Sequence, residues 1–158
     1  MNTQKWHKLL FILLLGFISG FTLSLSGFTL NFWLASNNID KSTLGLFSIV
    51  SLPYAINFIW APFFDGIILT KIGKIVAIST IHLCLIMSLI SISLVDVHNQ
   101  LLLIATLSLF VALFSSTQDI ILGGIRSEIL KAHEHGPAGG VYNLGYRIGM
   151  IISGSCAI

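Results

Sequence analysis

Long stretches without a charged residue dominate this chain. These charge-free runs cover residues 9–39, 42–64, 75–95, 97–118 and 136–146. Most of them approach or exceed the ~20 apolar residues that an α-helix needs to cross a ~30 Å hydrocarbon core. The charged residues lie in the short gaps between the runs. This pattern predicts an all-α protein, a bundle of about five helices that cross a membrane.

The composition excludes several other classes of protein. Of the 158 residues, 55% are hydrophobic and only 9% are charged, whereas soluble domains carry about 25% charged residues. A net charge of +2 without a basic stretch argues against a nucleic-acid partner. Cys84 and Cys156 lie inside apolar runs, where we expect no disulfide.

The runs and the polar residues between them give the predicted helices. We place them at 9–35, 43–64, 75–95, 100–122 and 138–158, in one transmembrane domain that covers residues 1–158. The first run is about twice as long as the apolar region of a cleaved signal peptide, so we expect it to be retained. Residues 153–158 are still membrane-like, and we expect the chain to be the opening part of a longer protein.

The distribution of lysine and arginine predicts the orientation. With five spans, one side of the membrane carries Lys5, Lys8, Lys71, Lys74, Arg126 and Lys131. The other side carries Lys41 alone. Because cytoplasmic loops are enriched in Lys and Arg, the N-terminus is predicted to be cytoplasmic. The loop predicted from Gly123 to Pro137 then lies in the cytoplasm as well.

Arg147 is the most unusual residue, because it lies near the middle of the last predicted helix. An arginine at that depth is costly unless it is paired or hydrated. One interpretation is an internal ion pair with Asp119 or another acid, or a side chain that reaches the membrane surface. The other is an anion-binding or coupling residue in a water-filled cavity, with Asn143 beside it on the same face.

The opposite face of the last helix carries small residues. Gly145, Gly149, Ser153 and Ala157 recur at every fourth position. Such a stripe lets the backbone of another helix approach closely. We therefore predict that Gly145, Gly149 and Ser153 pack against a neighbouring helix.

Other polar residues inside the runs are further candidates for a site. The run Ser115-Ser116-Thr117-Gln118-Asp119 is either the entry of a helix into the cytoplasm or a polar patch that lines a cavity. In the second case, Gln118 belongs to the site and Asp119 is a partner of Arg147 or a proton carrier. Tyr54 and Asn57 contribute either helix packing or substrate contacts.

The first two predicted helices carry further local features. Pro53 is expected to kink the second helix, since proline removes a backbone hydrogen bond. The first helix is rich in Ser and Thr, which predicts that it faces the protein interior. Its Gly16 and Gly20 form a GxxxG spacing that also occurs often by chance in apolar helices.

No pattern in the sequence indicates an enzyme. The chain has no nucleophile–base arrangement, no metal-ligand spacing and no phosphate-binding loop. We therefore expect no catalytic residue, no metal and no cofactor.

Three groups of residues together resemble the N-terminal portion of AmpG-type muropeptide permeases of the major facilitator superfamily. They are the segment 144–150 (LGYRIGM) with Ser153-Gly154, the segment 116–120 (STQDI), and the segment 45–48 (GLFS) with Tyr54, Phe58, Trp60-Ala61-Pro62 and Asp65. The resemblance implies an inner-membrane symporter that imports anhydro-muropeptides for cell-wall recycling. Its energy source would be the proton gradient, and its partners membrane lipid, a glycopeptide and a second chain that completes the bundle.

The chain also departs from that family. Asn57 stands where the family tends to carry lysine, and Gly123 stands where it tends to carry aspartate. The gating-loop motif is ragged, with Asp65, Lys71, Gly73 and Lys74 as its remaining residues. Five spans are less than one six-helix half of such a transporter, so the fold is expected to be an incomplete half. A non-transporting remnant and a membrane scaffold that packs with partner helices remain as alternatives.

Overall fold

A computed structural model of the chain describes residues 3–64, 73–97, 99–131 and 134–155. These residues form helices joined by short turns, and no strand occurs among them. The predicted all-α fold is therefore confirmed. The longest of these helices pack against one another, the beginning of the chain against its last described helix and against the long helix before it.

Five helical regions, α1 to α5, follow one another along the chain. Region α1 consists of Thr3–Ser24, the π-helical turn Leu25–Thr29 and Leu30–Ser36. Region α2 consists of Lys41–Leu46, Phe47–Ser51, Leu52–Ile56, Asn57–Ile59 and Ala61–Phe63, of which the second and fourth are 3₁₀-helical. The others are α3, Lys74–Ser93, α4, Leu101–Ile129, and α5, His135–Ser155.

Four of these regions are long and apolar enough to cross a membrane, judged by length and composition. They are Trp6–Ser36, Lys41–Ile59, Lys74–Ser93 and Leu101–Ile129. The 21 residues of α5 would span about 30 Å. Its several glycines, Asn143 and Arg147 lower its mean hydropathy, which is why it is not among the four.

The fourth helix is longer than the sequence predicted. We expected it to end at residue 122, but it continues to Ile129 and includes Gly123, so the loop predicted from Gly123 to Pro137 is largely helical. A glycine inside a helix costs about 1 kcal/mol relative to alanine. Buried packing outweighs that cost, because Ile121 joins Ala77 and Ile81 of α3 in a hydrophobic cluster and Ile125 packs against it.

Helices α1 and α2 are both irregular at the level where they meet. The π-helical turn Leu25–Thr29 lies in the second half of α1. In α2, Pro53 is buried in the first turn of Leu52–Ile56, and 3₁₀-helical segments lie on either side. The two irregular segments contact one another. Local departures from α-helical geometry are frequent at functional sites.

Reciprocal glycine contacts hold α1 against α5. A Cβ atom at Gly16 would overlap the backbone carbonyl of Tyr142, and one at Gly20 would overlap that of Tyr146. In return, a Cβ at Gly145 would meet the Leu13 carbonyl, and one at Gly149 that of Phe17. The GxxxG spacing in α1 therefore allows the backbone of α5 to pack closely against it. Close contact of the two backbones maximises the van der Waals packing that drives helix association in lipid.

Candidate functional site

The polar run at the end of the fourth charge-free stretch lies in the middle of α4. Ser115, Ser116, Thr117 and Gln118 are each at most 2% exposed. They face the other helices of the bundle, and α4 continues beyond them to Ile129. This burial favours the interpretation of the run as a polar patch inside the protein. These side chains form part of a polar core.

Asp119 is held by a hydroxyl of α1. The Ser19 Oγ donates a hydrogen bond of 2.7 Å to Oδ1 of Asp119, and Ser19 itself is 2% exposed. Among the described residues, no Lys or Arg nitrogen lies within 4.0 Å of the Asp119 carboxylate. The carboxylate thus accepts a hydrogen bond from a neutral hydroxyl group.

The structure does not bring Arg147 and Asp119 together. Arg147 and Asn143 are exposed on a face of α5 that α1 does not cover. Within the described ranges, Arg147 forms no ion pair. The proposed internal pair with Asp119 is therefore not present in this structure. The small-residue stripe faces the other way, with Gly145 and Gly149 buried against α1 and Ser153 1% exposed.

Tyr54 joins α2 to both α1 and α4. Its hydroxyl donates to Ser115 Oγ at 2.5 Å and lies 3.0 Å from Ser26 Oγ. One turn further along, Gln118 Nε2 donates to Thr22 Oγ1 at 3.4 Å, while Gln118 Oε1 has no partner among the described residues. A chain of hydroxyl and amide groups therefore runs along the face of α1 that meets α4.

A cleft of about 360 Å³ lies between α1, α2 and α5 beside this polar chain. Its polar lining is Ser24, Ser26, Asn31, Ser48, Ser51 and Tyr54. The described lining includes no charged side chain, and it does not include Asn57, Asn143 or Arg147. Neutral hydrogen-bonding groups in an apolar frame suit uncharged polar groups of a ligand.

Arg147 lies just outside that cleft. Met150, which lines the cleft, follows Arg147 by three residues on α5. Residues three apart are neighbours on the surface of a helix. A ligand in the cleft that carried an anionic group would therefore find Arg147 within about one helical turn. Asn57 is partly buried in the 3₁₀-helical segment Asn57–Ile59 of α2.

Half of the predicted gating loop is described. Gly73 has a φ of 84° and precedes the first residue of α3. Lys74 forms a salt bridge with Glu128 near the end of α4. Asp65 and Lys71 lie outside the described residues. Glu128 was not singled out from the sequence, since its partner lies on another helix.

The structure joins two residues that the sequence did not single out as a pair. The guanidinium of Arg126 in α4 lies 4.3 Å from the centre of the Tyr142 ring in α5. Nothing in the local sequence indicates this contact, because it depends on how α4, α5 and α1 cross. The spacing of Ser19, Thr22 and Ser26 was a usable signal, since it places the three hydroxyls on one face of α1.

Comparison with known proteins agrees with this architecture. A sequence profile described as acetyl-coenzyme A transporter 1 matches residues 8–157. The chain belongs to this transporter family. It is 41% identical over 157 residues to "Putative transporter AmpG 1" of Rickettsia bellii, a match that covers 96% of this chain and 38% of the relative. It is 32% identical over 148 residues to the "Anhydromuropeptide permease" of Escherichia coli, covering 93% and 30%.

These similarities confirm the resemblance to AmpG-type permeases. The chain spans only about a third of the length of such relatives. Together with its apolar helices, family membership makes this a multi-pass membrane protein of a transporter family. Among the described residues, no three His, Cys, Asp or Glu side chains gather as a metal site would require.

Proposed function

We propose that this chain forms part of a proton-coupled symporter that imports anhydro-muropeptides for cell-wall recycling. The observation that carries the proposal is the position of Asp119, a partly buried carboxylate that accepts a hydrogen bond from Ser19 and has no described cationic partner. Ionisable residues in such places commonly serve as proton carriers. The polar cleft beside it supplies a place for a substrate.

The chemistry of the cleft fits the substrate that the name of the Escherichia coli relative indicates. The sugars of an anhydro-muropeptide carry hydroxyl and amide groups, which match the neutral lining of Ser48, Ser51 and Tyr54. Its peptide stem carries carboxylates, which a planar guanidinium such as that of Arg147 binds in two-point fashion. Asn143 and Asn57 are assigned secondary roles in substrate contact or coupling.

The proposal includes the setting and the partners of the chain. It places the protein in a bacterial inner membrane with a cytoplasmic N-terminus, in contact with lipid and without nucleic acid, metal or catalytic activity. Because alternating access requires two bundles that move about one site, further spans or a second chain complete the cavity. A reporter fused after Lys131 should then be cytoplasmic, and one fused after Lys41 periplasmic.

The scaffold alternative has lost its main support. It relied on the small-residue stripe of α5 as a surface for partner helices, but α1 already occupies Gly145 and Gly149. The other alternative, a remnant without transport activity, is distinguished from a transporter by the uptake experiment that follows.

A chimaera tests the proposal. Residues 1–158 replace the matched N-terminal part of the Escherichia coli permease, and uptake of radiolabelled disaccharide muropeptide is measured in a permease-deficient strain. We expect uptake by the chimaera and none by residues 1–158 alone. A chimaera that inserts at normal levels but takes up nothing would contradict the proposal and favour the remnant. Uptake by the short chain alone would contradict the need for further spans.

A further inference from the structure

We propose that the cleft between α1, α2 and α5 is a subsite for one pyranose ring of a neutral sugar, and that the ring stacks on Phe28. This subsite rests on the proposed function, which supplies the sugar, and it adds which residues recognise the sugar and by what chemistry. Two features carry it, namely an exposed aromatic ring at the cleft and polar lining groups whose hydrogens are already engaged.

Phe28 presents its ring to two clefts. It belongs to the π-helical turn Leu25–Thr29 of α1, and its side chain is 62% exposed. It lines the cleft of about 360 Å³ and a second cleft of about 340 Å³, and Ser24 and Met150 also line both. A Cβ atom at Gly154 of α5 would lie 3.7 Å from Cδ1 and Cε1 of the ring, so α5 supports one edge of it. Much of the remaining ring surface is open to a ligand.

The serine hydroxyls that α2 contributes to the cleft donate their hydrogens to its own backbone. Ser48 Oγ donates to the Gly45 carbonyl at 2.6 Å, and Ser51 Oγ donates to the Ser48 carbonyl at 2.6 Å. Both serines are exposed. A hydroxyl whose hydrogen is engaged still has lone pairs that accept hydrogen bonds. Towards a ligand, these two groups therefore act as acceptors.

Other polar groups of the lining are engaged in the same way. The Tyr54 hydroxyl donates to Ser115 Oγ at 2.5 Å, and Ser26 Oγ donates to the Leu23 carbonyl at 3.0 Å. Asn31 uses Nδ2 to donate to a backbone carbonyl one turn earlier at 2.9 Å, and no donor among the described residues reaches its Oδ1. The side-chain carbonyl of Asn31 is thus a further acceptor for a ligand.

This lining selects the chemistry of its occupant. A wall of acceptors requires hydrogen-bond donors on the ligand, and the hydroxyl and amide groups of a sugar supply them. An anion offers only acceptors and is disfavoured. A cation would suit the face of an aromatic ring, but the described lining contains no carboxylate to balance its charge. The C–H groups of a pyranose form an apolar face, to which the Phe28 ring offers a large apolar contact area.

The position of the subsite also orients a larger substrate. A volume of about 360 Å³ lies within the range of about 300–1,000 Å³ that small-molecule sites occupy. A second ring of a disaccharide would continue into the cleft on the other side of Phe28. Met150 borders both clefts and follows Arg147 by three residues, so a peptide stem attached to the sugar would extend towards Arg147.

Saturation-transfer NMR tests the subsite. Residues 1–158 are reconstituted in lipid nanodiscs, the aromatic protons of the protein are irradiated, and transfer to the C–H protons of free N-acetylglucosamine is measured. We expect transfer in the wild type. Phe28→Leu keeps an apolar side chain but removes the ring, and it should reduce the transfer about threefold or more. Phe28→Tyr keeps a ring and should retain most of it.

Matched controls separate recognition from general effects. Phe11 of α1 is 43% exposed and lines neither cleft, so Phe11→Leu should leave the transfer unchanged. Ser51→Ala removes a lining acceptor and should weaken binding of the sugar. Ser36 is likewise exposed and donates to the carbonyl three residues earlier at 2.8 Å, but it does not line the cleft, so Ser36→Ala should have no effect.

A second probe tests the demand for donors. Fully O-methylated N-acetylglucosamine keeps its ring and oxygen acceptors but has lost its hydroxyl donors, so it should bind much more weakly than the free sugar. Equal binding of the two probes, no transfer in the wild type, or an equal loss in Phe28→Leu and Phe11→Leu would overturn the subsite. Sugar binding by residues 1–158 together with a chimaera that fails to transport would instead overturn the proposed function and leave the subsite standing.

Discussion

Ser19 in α1 and Asp119 in α4 are joined by a hydrogen bond of 2.7 Å although 100 residues separate them in the sequence. The bond ties the first helix to the fourth in the centre of the bundle. It also gives the one hydrogen-bond donor that the structure places on the Asp119 carboxylate within the described ranges. Asp119 is partly buried, and a charge withdrawn from water is costly unless it is paired and hydrogen-bonded.

Substitution of Gly145 by alanine should destabilise the bundle. The added Cβ would overlap the Leu13 carbonyl of α1 and force the two backbones apart. Overpacking of this kind costs about 1–3 kcal/mol. The control is Gly140→Ala in the same helix, where a Cβ meets nothing within 4 Å; it should be neutral or stabilising by up to about 1 kcal/mol. Thermal unfolding in detergent compares the two, and equal stabilities would contradict the close α1–α5 packing.

Substitution of Arg147 should affect transport and leave folding intact. Arg147 is exposed and has no ion-pair partner among the described residues. We expect Arg147→Lys and Arg147→Ala to insert and unfold like the wild type. In the transporting chimaera, Arg147→Lys should raise the half-saturation concentration for a substrate with stem carboxylates. The same substitution should change the half-saturation concentration for a stem-free disaccharide much less. Equal effects on both substrates would contradict a carboxylate contact.

The start of α2 should depend on pH through Asp40. Thr43 donates to this carboxylate through its hydroxyl at 2.6 Å and its amide at 3.1 Å, and these bonds lower the pKa of Asp40 below its ordinary value of 3.8. Because the folded pKa is depressed, the cap stabilises the helix above the ordinary pKa. That contribution is lost as the pH falls through the folded value.

An NMR titration of the Thr43 amide measures this effect. The amide shift should change with a midpoint below 3.8, and Asp40→Asn should remove the transition. A midpoint above the ordinary value would show that the cap does not form in the membrane.

Charge-free length and small-residue spacing made much of this fold predictable. The runs around α1 and α3 are long, continuous and bounded by charges, so local sequence was sufficient there. The end of α4 was not predictable, because Ile121 and Ile125 pack against α3 strongly enough to carry the helix through Gly123. An ion pair between Arg147 and Asp119 was considered from the sequence because their charges are opposite, and the structure does not contain it. The rotation of α5, set by its glycines against α1, turns Arg147 away from Asp119.

The polar residues of the site could be predicted from the sequence, but their hydrogen-bond partners could not. Gln118, Asp119 and Tyr54 were identified because polar residues are rare in membrane helices. Their partners Ser19 and Ser26 lie on α1, and short hydroxyl side chains occur throughout that helix, so no single one was distinctive. Arg126 and Tyr142 meet only because α4 and α5 cross at one end of the bundle.

The most direct test of the account compares two modes of transport in Asp119→Asn. The transporting chimaera is reconstituted in liposomes, and uptake driven by a pH gradient is measured beside equilibrium exchange of labelled for unlabelled substrate. Exchange needs no net proton movement, whereas uphill uptake does. We predict that Asp119→Asn abolishes uptake against a gradient and retains exchange, while Asp40→Asn retains both. Normal gradient-driven accumulation in Asp119→Asn would contradict the role of this carboxylate as the proton carrier.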